Sequence, residues 1–172
     1  MGEIAVHPRL ASCFSAGYFR MPGKTLEAWR NLWFHTGDAG RLDAGGRLWF
    51  VDRIKDCIRR RGENISSYEI EQVLSAHPAV AESAVVGVRV AGAGGEEEIK
   101  ACIVPDGAAP DPRALLDWCV ARLPRFAVPR FVEIVPALEK TATGKIRKPE
   151  LRAAGVTGST WDREAAGYTL PR

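Results

Sequence analysis

Hydrophobic residues along the chain follow two patterns, and each predicts a different kind of element. Short apolar runs predict strands at 2–6, 32–35, 47–51, 84–88, 99–104 and 131–135. Apolar residues spaced three and four apart predict amphipathic helices at 67–76 and from 111 to about 122, and a short helix is expected at 148–154. Because strands alternate with helices after residue 54, we expect a small α+β domain there, with a central sheet flanked by helices.

Local signals set the ends of the two longer helices. Ser66 stands three residues before Glu69, which is the spacing of a capping box at the start of the first helix. Pro78 ends that helix, because the residue before a proline disfavours the α region. Asp111 followed by Pro112 supplies an N-cap and a proline at the first helical position of the second helix.

The first fifty residues offer strands without enough partners to close a core. Turn residues at 43–46 predict a hairpin between two apolar runs, 15–24 reads as a loop, and 25–30 as one or two helical turns. We therefore expect residues 1–53 to be the incomplete, β-rich tail of a larger domain. Residues 54–155 would then form a compact domain, and the polar residues 156–172 a loosely ordered tail.

Composition narrows the class of protein. The 172 residues carry a formal net charge of +3 and 46% hydrophobic residues, which suits a globular core and does not favour a nucleic-acid partner. Neither a secretory signal nor a transmembrane run is expected, so a cytoplasmic location follows. The four cysteines lack the spacing of metal ligands, so no metal site is expected, and those at 102 and 119 are expected to be core thiols.

The segment 51–74 passes from a strand through the charged residues 52–56 and a turn at Gly62 to the capped helix. This order fits a boundary between two rigid bodies. It fits equally well an ordinary hairpin followed by a helix. The cluster Arg59-Arg60-Arg61 is expected to be a solvated strand end, with a phosphate contact as the alternative.

Three polar side chains are candidates for chemistry. Asp38 follows a Thr-Gly pair, where a carboxylate can accept hydrogen bonds from ribose hydroxyls or instead bond to the local backbone. Arg53 offers five fixed donors for a nucleotide, or an ion pair with Asp52 or Asp56. Lys145 follows Gly144 in a glycine loop, with other lysines close by in the sequence.

In this order and at these separations, the segments 33–38, 51–74 and 141–148 resemble the C-terminal part of the adenylate-forming enzymes. These are the acyl-CoA synthetases, peptide-synthetase adenylation domains and luciferases. The Arg-Gly-Glu-Asn turn at 61–64, the His-Pro-Ala-Val step at 77–80 and the Trp-Asp-Arg-Glu run at 161–164 resemble in particular the crotonobetaine/carnitine–CoA ligases. The resemblance runs from Gly2 to about Gly167.

The resemblance implies roles for six residues: nucleotide binding for Asp38 and Arg53, a hinge at Lys55, catalysis by Lys145, and the coenzyme A passage at Gly62 and Arg130. The ammonium of Lys145 would offset charge as a carboxylate meets the α-phosphate of ATP. Residues 52–53 read Asp-Arg where the family usually has Gly-Arg. Only the Thr-Gly-Lys context separates Lys145 from Lys140 and Lys148.

The function implied by the resemblance is that of an ATP-dependent acid–CoA ligase, using ATP with Mg²⁺ and coenzyme A as co-substrate. The chain would be its mobile C-terminal domain, partnered by a missing N-terminal domain that holds the phosphate loop and acyl pocket. It is therefore expected to be inactive alone. The alternatives are an adenylation domain that loads a carrier protein and a stand-alone binding module. The carboxylic acid and the oligomeric state stay open.

Overall fold

The computed structural model describes residues 1–10, 13–60, 62–90 and 96–171. They form two compact units, Met1–Lys55 and Asp56–Arg172, and each is described by itself. The division expected between residues 53 and 54 lies close to this boundary.

The first unit is a small antiparallel sheet with one short helix. Its elements are β1 (Gly2–Val6), α1 (Pro22–Ala28), β2 (Trp29–Arg30), β3 (Trp33–Leu42) and β4 (Leu48–Arg53). Strand β3 pairs with the other three strands, and its ladder with β4 forms the expected hairpin. The helix begins earlier than expected, inside the predicted loop, because Pro22 occupies its first turn, where the fixed φ of proline suits a helix.

The Thr36-Gly37-Asp38 segment lies inside β3, and not beyond the end of a strand as the sequence suggested. Pairing with β1 shifts here: Glu3 lies opposite Ala39, whereas Ala5 lies opposite His35, so residues 36–38 form a bulge. Gly37 adopts φ +73°, which glycine tolerates at little cost. A bulge bends its strand and changes the direction of the side chains next to it.

The described part of the second unit contains a four-stranded sheet, a separate hairpin, three α-helices and one turn of 3-10 helix at Arg125–Ala127. Its elements are β5 (Ile58–Arg60), β6 (Glu63–Ile65), α2 (Ser67–Ser75), β7 (Val80–Arg89), β8 (Glu97–Pro105), α3 (Pro112–Val120), β9 (Phe131–Ile134), α4 (Lys148–Ala154) and β10 (Trp161–Asp162). The sheet order is β10-β9-β8-β7, with β8 and β9 parallel and the other pairs antiparallel. None of the helices in the described ranges has the length and apolar run needed to cross a membrane.

Both faces of this sheet are buried. Alternate residues of a strand point to opposite faces, so Val85 and Ile103 join the core cluster that includes α2 and α3. Ala84 and Cys102 face the other way and cluster with Leu151 of α4. The predicted α+β fold, with a central sheet flanked by helices, is confirmed.

Local signals explain the helix ends. The Ser66 hydroxyl accepts a hydrogen bond from the Glu69 amide at 3.2 Å, and Asp111 accepts one from the Arg113 amide at 3.0 Å. Both caps satisfy amide groups that the first turn of a helix leaves unpaired. The predicted starts of α2 and α3 are therefore confirmed.

Residues 156–171 are held to the sheet, and do not form the loosely ordered tail that their polarity suggested. Strand β10 pairs with β9, and Arg163 is buried. The hydroxyls of Thr157 and Ser159 each donate to Glu133 Oε1 at 2.7 Å. Polarity alone suggested a solvated tail, but these hydroxyls donate hydrogen bonds to the buried carboxylate of Glu133.

Candidate functional site

Asp38 and Arg53 lie opposite each other on β3 and β4. The Nε atom of Arg53 is 2.7 Å from Asp38 Oδ1, although the angles of this ion pair are not those of a hydrogen bond. The sequence left a local alternative open for each side chain: a bond to the nearby backbone for Asp38, and an ion pair with Asp52 or Asp56 for Arg53. The structure instead pairs the two candidate nucleotide residues with each other.

The bulge that carries Asp38 is braced from β1. Glu3 accepts a hydrogen bond from the Gly37 amide at 3.2 Å, and its other oxygen lies 2.7 Å from His35 Nδ1. The contact with His35, followed by burial acting the other way, leaves the pKa of Glu3 below its ordinary value. The Thr36 hydroxyl accepts from the Asp38 amide at 3.1 Å and donates to the Ile4 carbonyl. Nothing in the local sequence pointed to Glu3, because its role arises only through strand pairing.

Lys145 lies on a tight loop that we call the lysine loop, residues 140–147. The Thr141 amide donates to the Lys145 carbonyl at 2.7 Å, and the Gly144 amide donates to the Thr141 carbonyl at 2.9 Å. The Thr141 hydroxyl accepts from the Lys145 amide at 3.1 Å. Gly144 adopts φ +80°, and Lys140 forms a bridge with Ile146. The loop is therefore ordered by its own hydrogen bonds while the Lys145 side chain is exposed.

The other cations around Lys145 are engaged. Lys140 Nζ lies 2.6 Å from Glu82 Oε1, and Lys148 Nζ lies 2.8 Å from Glu71 Oε1. Arg147 contacts two glutamates, Glu139 and Glu150. Among residues 140–148, the ammonium of Lys145 is the one cation that makes no ion pair with a described residue. Of the lysines at 140, 145 and 148, Lys145 therefore has the ammonium that could contact a ligand without first breaking an ion pair.

Lys55 and Gly62 both lie on exposed turns. Lys55 is the final residue of the first unit, in the turn that follows β4. Gly62 belongs to the second unit, in the turn between β5 and β6, with φ +81°. Apart from Gly62 and its two chain neighbours, no atom of the described residues lies within 4 Å of the position that a Cβ on Gly62 would occupy, so the space beside it in this unit is open.

Arg130 is bound to carboxylates. Its Nε and Nη2 atoms donate to the two oxygens of Asp162 at 3.1 and 2.9 Å, and Nη1 lies 3.0 Å from Glu164. The bonds to Asp162 raise the pKa of Arg130 above its ordinary value, against the opposing effect of burial. A phosphate at this guanidinium would compete with these carboxylates for its donors.

A cleft of about 560 Å³ in the second unit has Arg60, Arg125 and Arg163 among its lining residues. Arg60 is buried beside Glu98, with Nε 2.7 Å from Oε2, so it is not the solvated strand residue that the sequence suggested. Burial, and then the charge of Arg60, lower the pKa of Arg163. No local pattern indicates this cleft, because Glu98 and Arg163 lie far from Arg60 along the chain. Arg61, the third arginine of the cluster, lies outside the described residues.

The described residues contain no group of three His, Cys, Asp or Glu side chains placed to hold a metal ion. Burial raises the pKa of Cys102 to about 11 and that of Cys119 to about 12, so both thiols stay protonated near neutral pH. Their prediction as core thiols is confirmed.

Comparison with known proteins gives a consistent result. A family model described as the AMP-binding enzyme C-terminal domain matches residues 69–145. The fatty acid–[acyl-carrier-protein] ligase ScoC of Streptomyces coeruleorubidus is 41% identical over 136 residues, which is 78% of this chain and 26% of that protein. Crotonobetaine/carnitine–CoA ligase of Salmonella typhimurium is 36% identical over 154 residues, which is 88% of this chain and 29% of that protein.

A solved structure shares the fold. The crystal structure of ATP-bound MatB from Rhodopseudomonas palustris superposes with a TM-score of 0.69 and 37% identity, over 81% of this chain and 28% of that one. The chain spans about a quarter of the length of the curated relatives it matches.

Proposed function

We propose that this chain acts as the C-terminal part of an ATP-dependent acid–CoA ligase. The premise is that the chain belongs to the AMP-binding enzymes, whose C-terminal domain it matches. The complete enzyme would join a carboxylate to AMP with release of pyrophosphate. It would then transfer the acyl group to coenzyme A with release of AMP. The observation that carries the proposal is the exposed, unpaired ammonium of Lys145 on an ordered loop, surrounded by cations that are already paired.

Lys145 would act in the first half-reaction. The substrate carboxylate and the α-phosphate of ATP repel each other as they approach. An ammonium beside the two groups offsets that charge while it develops, and a charge contact of this kind in a water-excluded site is worth several kcal/mol. The hydrogen bonds of the lysine loop support this role, because they hold the backbone while leaving the side chain free to reach a ligand.

Asp38 and Arg53 would bind the nucleotide. The carboxylate of Asp38 contacts Arg53 through Oδ1, so Oδ2 can accept a hydrogen bond from a ribose hydroxyl, as acidic residues do in other nucleotide sites. Arg53 is 47% exposed at its side chain, so donors remain for a second ribose oxygen or a phosphate. The β3–β4 pairing supports this assignment because Asp38 and Arg53 lie opposite each other in its register.

Lys55 would be the hinge between the tail of the large domain and the mobile C-terminal domain. A hinge residue absorbs backbone rotation while two compact bodies move, and it need not contact the substrate. The proposal is supported by the position of Lys55 in an exposed turn, as the last residue of the first unit.

The pantetheine arm of coenzyme A would pass the turn at Gly62. Open space beside Gly62 allows close approach of another backbone or a thiol arm, and a side chain there would also be strained by the positive φ. Arg130 is the weaker part of this assignment, because Asp162 and Glu164 already occupy its guanidinium.

The chain alone is proposed to be inactive. Asp38, Arg53 and Lys145 would supply one side of a nucleotide site, and the N-terminal domain of the complete enzyme would supply the phosphate loop and the acyl pocket. The described residues contain no ready site for Mg²⁺, so no step of the proposal depends on this chain holding that ion.

The test is Lys145→Ala in the complete enzyme, with the half-reactions assayed separately and Lys140→Ala as the matched control. Adenylation, measured by pyrophosphate release, should slow by about a hundred- to a thousandfold in the Lys145 variant. Thioester formation from supplied acyl-AMP and coenzyme A should be largely spared. Equal loss in both half-reactions, or a large drop in melting temperature, would assign Lys145 a structural role.

A carrier protein is the second candidate acceptor, favoured by the similarity to the acyl-carrier-protein ligase ScoC. Supplied acyl-AMP can be offered to free coenzyme A and to a carrier protein bearing phosphopantetheine. Faster transfer to coenzyme A supports the ligase proposal, and faster transfer to the carrier protein replaces it. A stand-alone binding module would leave adenylation undetectable in the complete protein.

A further inference from the structure

We propose that Lys148 is a positioning residue for Lys145, and that it acts by fixing the lysine loop to α2 and β7 through Glu71. This inference rests on the proposed function for its effect on the reaction. Its structural part concerns the second unit alone and can be tested without any activity.

The anchor is a chain of three contacts. Lys148, the first residue of α4, places its Nζ atom 2.8 Å from Glu71 Oε1 and donates a hydrogen bond of 2.8 Å to the Ser67 hydroxyl. The same oxygen of Glu71 accepts a hydrogen bond of 2.7 Å from the Val85 amide of β7. One ammonium therefore connects the start of α4 to two neighbouring elements.

Burial makes this anchor stronger than the other ion pairs around the loop. The side chains of Lys148 and Glu71 are 14% and 16% exposed, whereas those of Lys140 and Glu82 are 41% and 38% exposed. Exposed pairs contribute little because water screens them and because both side chains lose freedom. Removing one partner of a largely buried pair costs much more stability, because the remaining buried charge is no longer compensated.

The lysine loop can move as one piece if this anchor is lost. The bonds between Thr141 and Lys145 inside the loop, and the bond from the Arg147 amide to the Glu139 carbonyl just before it, do not involve Lys148. Beyond those bonds, the loop is attached by Ile146, which packs beside Ala84 and Cys102, by the exposed ion pairs of Lys140 and Arg147, and by the start of α4. Loss of Lys148 should therefore tilt the loop while leaving its internal geometry intact.

A displaced Lys145 would affect one half-reaction. A shift of about 1 Å in a catalytic group can cost on the order of a hundredfold in rate. We expect Lys148→Ala to slow adenylation by about 10- to 100-fold with little change in the KM for ATP, and to spare thioester formation from supplied acyl-AMP. The control Lys140→Ala should stay within about twofold of the parent enzyme.

The structural test uses the 172-residue chain. Residual dipolar couplings of the amides at 141–147 are measured against those of β7, β8 and β9 for the parent chain, Lys148→Ala and Lys140→Ala. In Lys148→Ala the loop couplings should still fit the same internal geometry, but with a changed orientation relative to the sheet. Lys140→Ala should match the parent chain.

Two further variants separate positioning from a general loss of stability. Lys148→Arg keeps a cation that can reach Glu71 and should restore most of the adenylation rate. Glu71→Gln keeps an acceptor for the Val85 amide but removes the charge, so its effect should resemble that of Lys148→Ala. The double variant Lys148→Ala with Glu71→Gln should slow adenylation at most about twofold more than the slower single variant, because both substitutions remove the same contact.

The outcomes distinguish failure of the positioning role of Lys148 from failure of the proposed function. Unchanged loop couplings in Lys148→Ala, or a reoriented loop with an unchanged adenylation rate, would overturn the positioning role. If Lys145→Ala itself leaves adenylation unaffected, the proposed function fails, while the couplings still report whether Lys148 orients the loop. If Lys148→Ala does not fold, Glu71→Gln replaces it in both measurements, and an unchanged loop orientation in that variant would overturn the positioning role.

Discussion

The two compact units differ most in how they bury apolar side chains. The second unit closes a core on both faces of its sheet, with Ile70, Leu115 and Phe131 almost fully buried. In the described part of the first unit, the buried hydrophobic residues are Ala28 and Ala39. Large side chains there stay exposed, including Leu26, Leu32, Leu42, Leu48 and Phe50. The second unit therefore has its own source of stability, and the first has a sheet whose apolar surface is left uncovered.

The difference shows that the candidate residues of the two units depend on different supports. The lysine loop rests on a closed core through Ile146 and Lys148. The Asp38–Arg53 pair rests on strand pairing and on Glu3, without a core beneath it. A small sheet is only marginally stable unless its apolar face is covered. The proposed large domain would supply that cover.

The largest expected effect comes from separating the units. Residues 56–172 expressed alone should fold and unfold cooperatively, because their core does not depend on the first unit. Residues 1–55 expressed alone should remain largely unfolded. Amide spectra and thermal melts of the two pieces would check this. A dispersed spectrum and a cooperative melt for residues 1–55 would show that the sheet is stable without cover.

Removing the buried Lys100 should produce the next largest effect. Lys100 is 1% exposed, forms an ion pair with Glu133 and donates to the Gly155 carbonyl at 2.5 Å. Lys100→Met would leave the charge of Glu133 buried, which typically costs about 3–5 kcal/mol. Urea unfolding measures the loss.

The control for this change is the double variant Lys100→Met with Glu133→Gln. The amide still accepts hydrogen bonds from the neighbouring hydroxyls but carries no charge, so part of the stability should return. A loss below about 1 kcal/mol in the single variant would mean that the pair adds little to the core.

Acid should weaken the second unit through Glu133 by a smaller amount. Burial raises the pKa of this carboxyl, but the hydrogen bonds from Lys100, Ser159 and Thr157 outweigh burial and lower it from 4.5 to about 2. Since the pKa is lower in the folded chain, the contribution is complete above pH 4.5 and is lost as the pH falls towards 2. The slope should approach about 1.4 kcal/mol per pH unit. Glu133→Gln should flatten the curve in this window, and an unchanged curve would contradict the assignment.

The smallest effect on stability should come from Arg53→Gln. Its partner Asp38 and Arg53 itself are 26% and 47% exposed at their side chains, and such pairs are typically worth under about 1 kcal/mol. The melting temperature of the chain should barely change, while the KM for ATP should rise in the complete enzyme. A loss of stability above about 2 kcal/mol would make the pair a structural element of the first unit.

The parts of the fold that depend on neighbouring residues could be predicted from the sequence. Strand β1, the β3–β4 hairpin and the caps of α2 and α3 depend on residues only a few positions apart, so local patterns identify them. The bulge at residues 36–38 depends on β1, about thirty residues earlier in the chain, and the local pattern there predicts only a simple turn. Strand β10 was missed because two residues give no period and because their partner in β9 is distant.

The candidate functional residues divide in the same way. The sequence marked Asp38, Arg53 and Lys145 only through their resemblance to a family, since each has an ordinary structural alternative. The ion pairs of Lys140 and Lys148 join residues on separate elements, and no local pattern announces them. The prediction that Arg60 is solvated was wrong for the same reason, because its partner Glu98 belongs to β8.

The contact between Glu71 and the Val85 amide also protects an edge of the sheet. Strand β7 is an outer strand of the four-stranded sheet, and an outer strand presents backbone groups on which a strand of another molecule could pair. Glu71 already occupies one of these outward amides, and Ser83 beside it donates its hydroxyl to the Glu71 carbonyl at 3.3 Å. Helix α2 thus covers the middle of this edge and blocks edge-to-edge association there.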